Sequence, residues 1–197
     1  MSARTTKLVN ALTFQLVWFA CVFGTAHGHA WLGVAVASAH VALTLACERR
    51  VAIRAGRSFV MPRVLAAWLL AGFAGSAADT LQRACGFVEY SGSALGGVWA
   101  PAWIVALWIA FAATLSSSLA WLRGRVWLSL PFAVLGAPLS YLGAERLGAV
   151  TIGGAELGGT RLLSLAGVGV AWGIAFHGSQ WIEARVRREP RTAPPIG

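Results

Sequence analysis

Charged residues are scarce in this sequence: Asp, Glu, Lys and Arg together make up 12% of its 197 residues. Soluble domains carry about 25% charged residues, so the composition excludes a surface that is mostly exposed to water. Hydrophobic residues instead make up 57% of the chain, and the mean hydropathy is +0.68. These values are typical of a polytopic membrane protein.

Cysteine, lysine and aspartate are also rare. Cys21, Cys47 and Cys85 lie far apart, which excludes a disulfide framework and a CxxC metal site. Lys7 is the only lysine and precedes the first apolar run, so no apolar segment holds a lysine for a Schiff base. Asp79 is the only aspartate, and the HExxH and GxSxG motifs are absent. We therefore predict no metal site and no cofactor.

Six apolar segments alternate with short polar segments. The length of each segment is close to the roughly 20 residues that a helix needs to cross a bilayer core about 30 Å thick. We therefore predict an all-α, polytopic transmembrane bundle of six helices in one domain, residues 1–184, followed by a basic, proline-containing tail, residues 185–197. The predicted helices cover about residues 8–24, 31–47, 61–80, 98–122, 127–149 and 160–182.

The basic residues are distributed unequally between alternate sides of these helices. Lys and Arg concentrate on the cytoplasmic side of membrane proteins, so the distribution predicts an N-in/C-in topology. It also accounts for the net charge of +9, which favours membrane lipids as partners and excludes nucleic acid. One side holds Arg4, Lys7, Arg49, Arg50, Arg54, Arg57, Arg63, Arg123, Arg125, Arg185, Arg187, Arg188 and Arg191, and the other holds Arg83, Arg146 and Arg161.

An outer polar cluster is predicted where the third and fifth helices end. It contains Asp79, Arg83, Glu145 and Arg146, with Tyr141 nearby. Asp79 precedes Arg83 by four residues, which is the favourable order for an ion pair on one helical face. Such a cluster either closes the bundle as a structural ion pair or forms a polar mouth that meets an anionic group of a substrate.

A second polar layer is predicted near the middle of the membrane. Polar side chains are costly there, so each one needs a hydrogen-bonding partner or a function. If they converge, they form an enclosed site for a small ligand or a proton relay through imidazole; otherwise they are packing residues. The candidate ligand-binding residues are Gln15, His40, Ser117, His177 and Gln180, together with Tyr141.

The fifth helix contains Pro131 and Pro138, with Gly136 between them. Prolines free backbone carbonyls inside a helix, and this occurs both at transporter binding sites and in ordinary kinked bundles. The deep tryptophans Trp18, Trp68, Trp108 and Trp172 likewise serve either as lipid or helix contacts or as the wall of a site for an apolar ligand.

Three runs of the sequence resemble a family of small proteobacterial inner-membrane proteins that is classified only as a domain of unknown function. They are NALTFQLVWFACV at residues 10–22, APAW at 100–103 leading to LWIAFAATL at 107–115, and GAPLSYLGA at 136–144. The likeness covers about residues 8–182. It implies a location in the bacterial inner membrane. The family's genes tend to lie near cyclopropane-fatty-acid-synthase-like methyltransferases and flavin-dependent oxidoreductases, which implies a role near lipid modification.

Three functions are compatible with these patterns. The leading prediction is the binding or transport of a small or lipid-like molecule. The first alternative is an accessory membrane subunit that docks a lipid-modifying enzyme through its basic loops. The second is an intramembrane enzyme with Asp79, Glu145, His40 or His177 as acid or base, which requires these side chains to converge.

Overall fold

The computed structural model describes residues 3–92, 94–153 and 160–187. Its six α-helices form a bundle and confirm the predicted all-α polytopic class. Five of them, α1, α2, α3, α5 and α6, are long and apolar enough to cross a membrane. The helices are α1 (Ala3–Ala26), α2 (Ala30–Arg54), α3 (Met61–Ala84), α4 (Ala102–Leu115), α5 (Val126–Arg146) and α6 (Arg161–Val186).

Helix α4 is shorter than the single helix predicted over residues 98–122. Pro101 is the residue before its first turn, which suits a residue without a backbone N–H. At the other end, the backbone N–H and the hydroxyl of Ser118 both donate to the side chain of Asn10, at 3.2 and 2.6 Å. The side chain of Asn10 thus accepts the hydrogen bond that a backbone carbonyl would accept if the helix continued. The 14 residues of α4 span about 21 Å, and a 3-10 turn, Ala120–Leu122, follows.

Helix α4 lies at the centre of the bundle and packs against α1, α2 and α3, while α6 packs against α3 and α5. Small residues allow these close approaches. A Cβ atom on Gly75 of α3 would lie 2.1 Å from the ring of Trp108, and one on Gly72 would lie 2.5 Å from Ile109. The missing side chain of Gly75 therefore lets the Trp108 indole lie flat against α3.

Helix α5 stays helical across both of its prolines. Pro138 leaves the carbonyl of Val134 without its helical donor. That carbonyl faces Gly169 of α6, where a Cβ atom would come within 2.7 Å of it. The proline and the glycine together bring α5 and α6 close to each other.

Short strands cover the outer end of the bundle, which is the end opposite the basic segments. Strand β1 (Val88–Tyr90) pairs antiparallel with β4 (Val150–Ile152), with Tyr90 opposite Val150. Strands β2 (Ala94–Leu95) and β3 (Trp99–Pro101) form a second pair. In β1, Val88 and Tyr90 are buried while Glu89 is exposed. We call the β1–β4 pair the outer cap.

Candidate functional site

The single aspartate of the chain lies at the centre of a buried hydrogen-bond network. Asp79 is 1% exposed. Its Oδ1 accepts from the hydroxyl of Tyr141 at 2.5 Å and from Nε2 of Gln82 at 2.7 Å. Its Oδ2 accepts from the indole N–H of Trp108 at 2.6 Å. Among the described residues, Asp79 forms no salt bridge, so neutral donors alone surround this carboxyl group.

The network extends through the only two tyrosines of the sequence. The hydroxyls of Tyr141 and Tyr90 lie 3.1 Å apart, and the indole N–H of Trp172 donates to the Tyr141 oxygen at 3.4 Å. Burial, together with the nearby charge of Asp79, raises the pKa of Tyr90 well above its ordinary value. Tyr90 therefore keeps its proton at neutral pH. We call this set of six residues, Asp79, Gln82, Tyr90, Trp108, Tyr141 and Trp172, the carboxylate network.

Next to this network lies an apolar cavity of about 460 Å³. Four helices contribute to it: α1, α4, α5 and α6. Aromatic rings form most of its wall, and Gln15 and Ser140 are its polar side chains. We call it the aromatic cavity; it is lined by Phe14, Gln15, Trp18, Phe19, Phe111, Phe132, Ala133, Gly136, Ala137, Leu139, Ser140, Trp172 and Phe176.

Trp172 belongs to both the aromatic cavity and the carboxylate network. Its ring lines the cavity, while its N–H donates to Tyr141. The same ring stacks on Trp108, with centroids 4.1 Å apart and an interplanar angle of 29°. Since Trp108 and Tyr141 both donate to Asp79, Trp172 in the cavity wall is linked to the carboxyl group indirectly, through two of its neighbours.

The predicted ion pair between Asp79 and Arg83 is not formed. Arg83 bonds Glu89 of the outer cap at 3.0 Å, whereas Asp79 faces inward among tyrosine and tryptophan side chains. A helical spacing of four residues permits a pair, but here the carboxyl group of Asp79 is buried and the guanidinium group of Arg83 pairs with the exposed Glu89 instead.

The remaining members of the predicted outer cluster are also separated from Asp79. Glu145 forms a salt bridge with Arg161 and accepts from the backbone N–H of Ile152 at 3.0 Å. Arg146 is exposed. Glu145 therefore links the end of α5 to α6 and β4. These contacts give it a structural role.

The predicted mid-membrane residues fall into separate places. Gln15 lines the aromatic cavity. His40 is buried, and its Nδ1 lies 2.8 Å from the hydroxyl of Thr13, while its Nε2 has no partner among the described residues. Ser117 lines a polar cavity at the basic end of the bundle.

The candidates on α6 form a further group. Nε2 of His177 lies 3.0 Å from the hydroxyl of Ser129, and its Nδ1 lies 2.8 Å from the carbonyl of Gly173. Gln180 is half-buried one turn further along. Asp79, Glu145, His40 and His177 thus each have different partners and do not converge on one reaction centre. Within residues 3–92, 94–153 and 160–187, no three His, Cys, Asp or Glu side chains are grouped to hold a metal ion.

A polar cavity of about 200 Å³ opens at the basic end of the bundle. Glu48 accepts from Ser116 at 2.5 Å and from Arg187 at 2.8 Å. Glu183 joins Arg187, at 2.9 Å, to Arg123. Burial acts to lower the pKa of Arg187, but the two glutamates outweigh it and raise that pKa above its ordinary value. These five residues connect α2, the segment between α4 and α5, and the end of α6.

Sequence reasoning did not single out Tyr90 or Gln82. Tyr90 lies in a segment that reads as a polar turn, and its side chain becomes buried only when β1 pairs with β4. Gln82 follows Asp79 by three residues, a helical spacing at which side chains meet. That spacing is the feature of the sequence that points to Gln82. The feature that points to Tyr90 is that the sequence has only two tyrosines.

Comparison with known proteins adds a family but no activity. A family described as "Protein of unknown function (DUF2878)" matches residues 7–177. No curated protein and no solved structure matches the chain. The matched range contains all six residues of the carboxylate network and the whole lining of the aromatic cavity.

Proposed function

The chain belongs to this family of proteins of unknown function, and from its geometry we propose that it binds a lipid-like molecule in the aromatic cavity. The molecule enters from the bilayer of a bacterial inner membrane, and the protein carries or presents it there. The observation that supports this proposal is the aromatic cavity itself, because its mostly apolar lining also contains the polar side chains of Gln15 and Ser140.

The size and lining of the aromatic cavity suit a small organic ligand. Ligand pockets usually measure about 300–1,000 Å³, are mostly apolar and contain a few polar groups that fix orientation; the cavity measures about 460 Å³. Phe111 and Phe176 come from facing helices and their rings contact each other, with centroids 5.8 Å apart. Gln15 and Ser140 supply hydrogen-bonding groups. The ligand is therefore an apolar chain or ring that carries one polar group.

We infer that the aromatic cavity opens between α1 and α5, because its lining residues Phe19 and Leu139 are 47% and 68% exposed. In a membrane these two side chains would face the lipid. Trp18 bridges the two helices on the outer side, since its indole N–H donates to Ser140 at 2.8 Å. Gly136 leaves open space on α5, where a Cβ atom would meet nothing within 4 Å. A ligand reaches this site sideways from the membrane.

A second apolar groove, about 510 Å³ between α2, α3 and α4, provides a contrast. Its wall is aliphatic, and Ser38, its hydroxyl residue, donates to the carbonyl of Val34 in its own helix. Such a groove offers an occupant no aromatic stacking, so acyl chains of bulk lipid suffice to fill it. The aromatic cavity differs because its wall can select for a ring or for a polar group.

Native mass spectrometry with lipidomics on gently extracted protein tests the proposal. The decisive variant is Gly136→Leu, which places a side chain in the cavity without a backbone clash. Its matched control is Gly178→Leu, because Gly178 is also helical, exposed and free of neighbours within 4 Å, but lies outside the cavity. We expect a specific bound molecule in the wild type and in Gly178→Leu, and its loss in Gly136→Leu. Bulk phospholipid alone in all three proteins would refute the proposal.

A second candidate function is an accessory subunit that holds a lipid-modifying enzyme at the membrane. Arg49, Arg50 and Arg57 are exposed at the basic end, while Arg123 and Arg187 are paired with glutamates. Exposed arginines attract anionic lipids and acidic protein surfaces. Copurification of a second protein at fixed stoichiometry, and its loss when Arg49 and Arg50 become alanine, would favour this function.

A further inference from the structure

The carboxylate network contains a buried acid that pairs with no cation in the part of the chain that the structure describes, and we propose that Asp79 is a proton-binding site whose protonation is coupled through Trp172 to the filling of the aromatic cavity. The proton-binding half stands independently of any ligand. The coupling half rests on the proposed function, because it assigns a regulatory consequence to occupancy of the same cavity.

The first argument concerns the charge of Asp79. An ionised carboxylate inside a membrane bundle is costly unless a cation or several donors compensate it. Asp79 is fully enclosed, and the arginine one turn away bonds Glu89 instead. Three neutral donors stabilise the ionised form of Asp79, but none of them carries a positive charge that would keep the carboxyl group ionised. A carboxyl group in this balance can exist in both protonation states.

The second argument identifies which oxygen carries the proton. Oδ2 faces the indole N–H of Trp108, and an indole N–H can only donate. Oδ1 faces the hydroxyl of Tyr141 and the amide of Gln82, and both of these groups can either donate or accept. Oε1 of Gln82 is itself buried without a partner among the described residues. The proton therefore binds at Oδ1, where two neighbours can reverse their roles.

The third argument provides a route for the proton. Asp79 gives its proton to the Tyr141 oxygen and Tyr141 gives its own to the Tyr90 oxygen. Tyr90 is 3% exposed, so it gives its own proton to a water molecule that reaches it when β1 separates from β4. The net change is one carboxylate and one hydronium ion. Tyr90 belongs to the outer cap, so the route leads toward the outer end of the bundle.

The fourth argument concerns coupling. Around Asp79, α3 contributes Gln82, α5 contributes Tyr141 and the outer cap contributes Tyr90, while α4 and α6 contribute only indoles. A molecule in the cavity presses on the Trp172 ring and excludes water from beside it. This changes the hydrogen bond to Tyr141 and the stack on Trp108, and both neighbours donate to Asp79. Occupancy and protonation therefore influence each other reciprocally.

The experiment uses the fact that Asp79 is the only aspartate. Cell-free synthesis with aspartate labelled with carbon-13 at its side-chain carboxyl labels this residue alone. Infrared difference spectra of the full chain in lipid nanodiscs, recorded from about pH 4 to pH 9, cover the range in which buried carboxyl groups titrate. We expect a labelled carboxylic-acid band that disappears as the pH rises. A labelled group that stays in one protonation state throughout would overturn the proton-binding half.

Two variants test the coupling. Trp172→Phe keeps an aromatic ring in the cavity and removes the N–H that donates to Tyr141, and Gly136→Leu places an apolar side chain in part of the cavity and so excludes water from it. Loss of a donor and loss of nearby water both disfavour the ionised form of Asp79, so we expect the midpoint of the labelled band to move up by about one pH unit. Gly178→Leu is the control and should leave the midpoint unchanged. Unchanged midpoints in both test variants would overturn the coupling. Loss of a bound molecule is measured separately by mass spectrometry, so failure of the proposed function is distinguishable from failure of this inference.

Discussion

The hydroxyls of Tyr90 and Tyr141 lie 3.1 Å apart although 51 residues separate them in the chain. One belongs to the outer cap and the other to α5. Their contact brings the only two tyrosines to the only aspartate. The cap thus contributes a side chain to the interior of the bundle as well as covering it.

Tyr141→Phe should destabilise the protein by about 1–3 kcal/mol, because it removes a donor from a buried carboxyl group. Thermal unfolding in a mild detergent measures the effect. Tyr90→Phe is the matched control, since it leaves the bond between Tyr141 and Asp79 in place. We expect a smaller loss for this control. Equal losses of stability in the two variants would contradict the prediction that the Tyr141 hydroxyl stabilises the protein more than the Tyr90 hydroxyl does.

Gly75→Ala should lower stability by about 1–3 kcal/mol through overpacking. The new methyl group would lie 2.1 Å from the Trp108 ring and would push the indole away from Asp79. The same change at Gly178, where no atom lies within 4 Å, should be neutral or stabilise α6 by up to about 1 kcal/mol. The thermal midpoint of Gly75→Ala should therefore lie clearly below that of the Gly178 variant. A Gly75→Ala protein as stable as the wild type would contradict this packing.

Glu183→Gln should destabilise the basic end of the bundle by about 1.5–3 kcal/mol, because it weakens charge-assisted hydrogen bonds to two arginines that are themselves partly exposed. Glu183 is 1% exposed and bonds both Arg123 and Arg187. The control is Glu89→Gln, which breaks an exposed pair with Arg83 and should change stability by less than about 1 kcal/mol. Chemical unfolding in detergent compares the two, and similar effects would exclude a special role for Glu183.

Asn10→Ala and Gln15→Ala should separate stability from binding. Asn10 bonds Ser118 and Thr44, and so joins α1 to α2 and to the segment that follows α4. Its loss should cost about 1–3 kcal/mol because Asn10 and Thr44 are both buried. Gln15 lines the aromatic cavity and is exposed, so its alanine variant should keep its thermal midpoint and retain less of the bound molecule. Retention unchanged from the wild type would remove Gln15 from the site.

The sequence predicts the helical bundle because the hydrophobicity and the length of each apolar segment can be read from consecutive residues. It does not predict the end of α4, since Asn10 stops that helix from a position 108 residues away. The partners of Asp79 are equally remote: Trp108 and Tyr141 lie 29 and 62 residues further along. The local rule of four-residue spacing pointed to Arg83 instead, because no sequence pattern records which helices become neighbours. The outer cap was missed for the same reason, since β1 and β4 pair only across two helices.

The opening between α1 and α5 determines how an occupant would reach the protein. A molecule that enters there arrives by two-dimensional diffusion within one leaflet, so its partition coefficient into the bilayer, rather than its aqueous concentration, sets how often the site is filled. Binding should accordingly respond to the lipid-to-protein ratio of a vesicle and hardly to the volume of buffer around it.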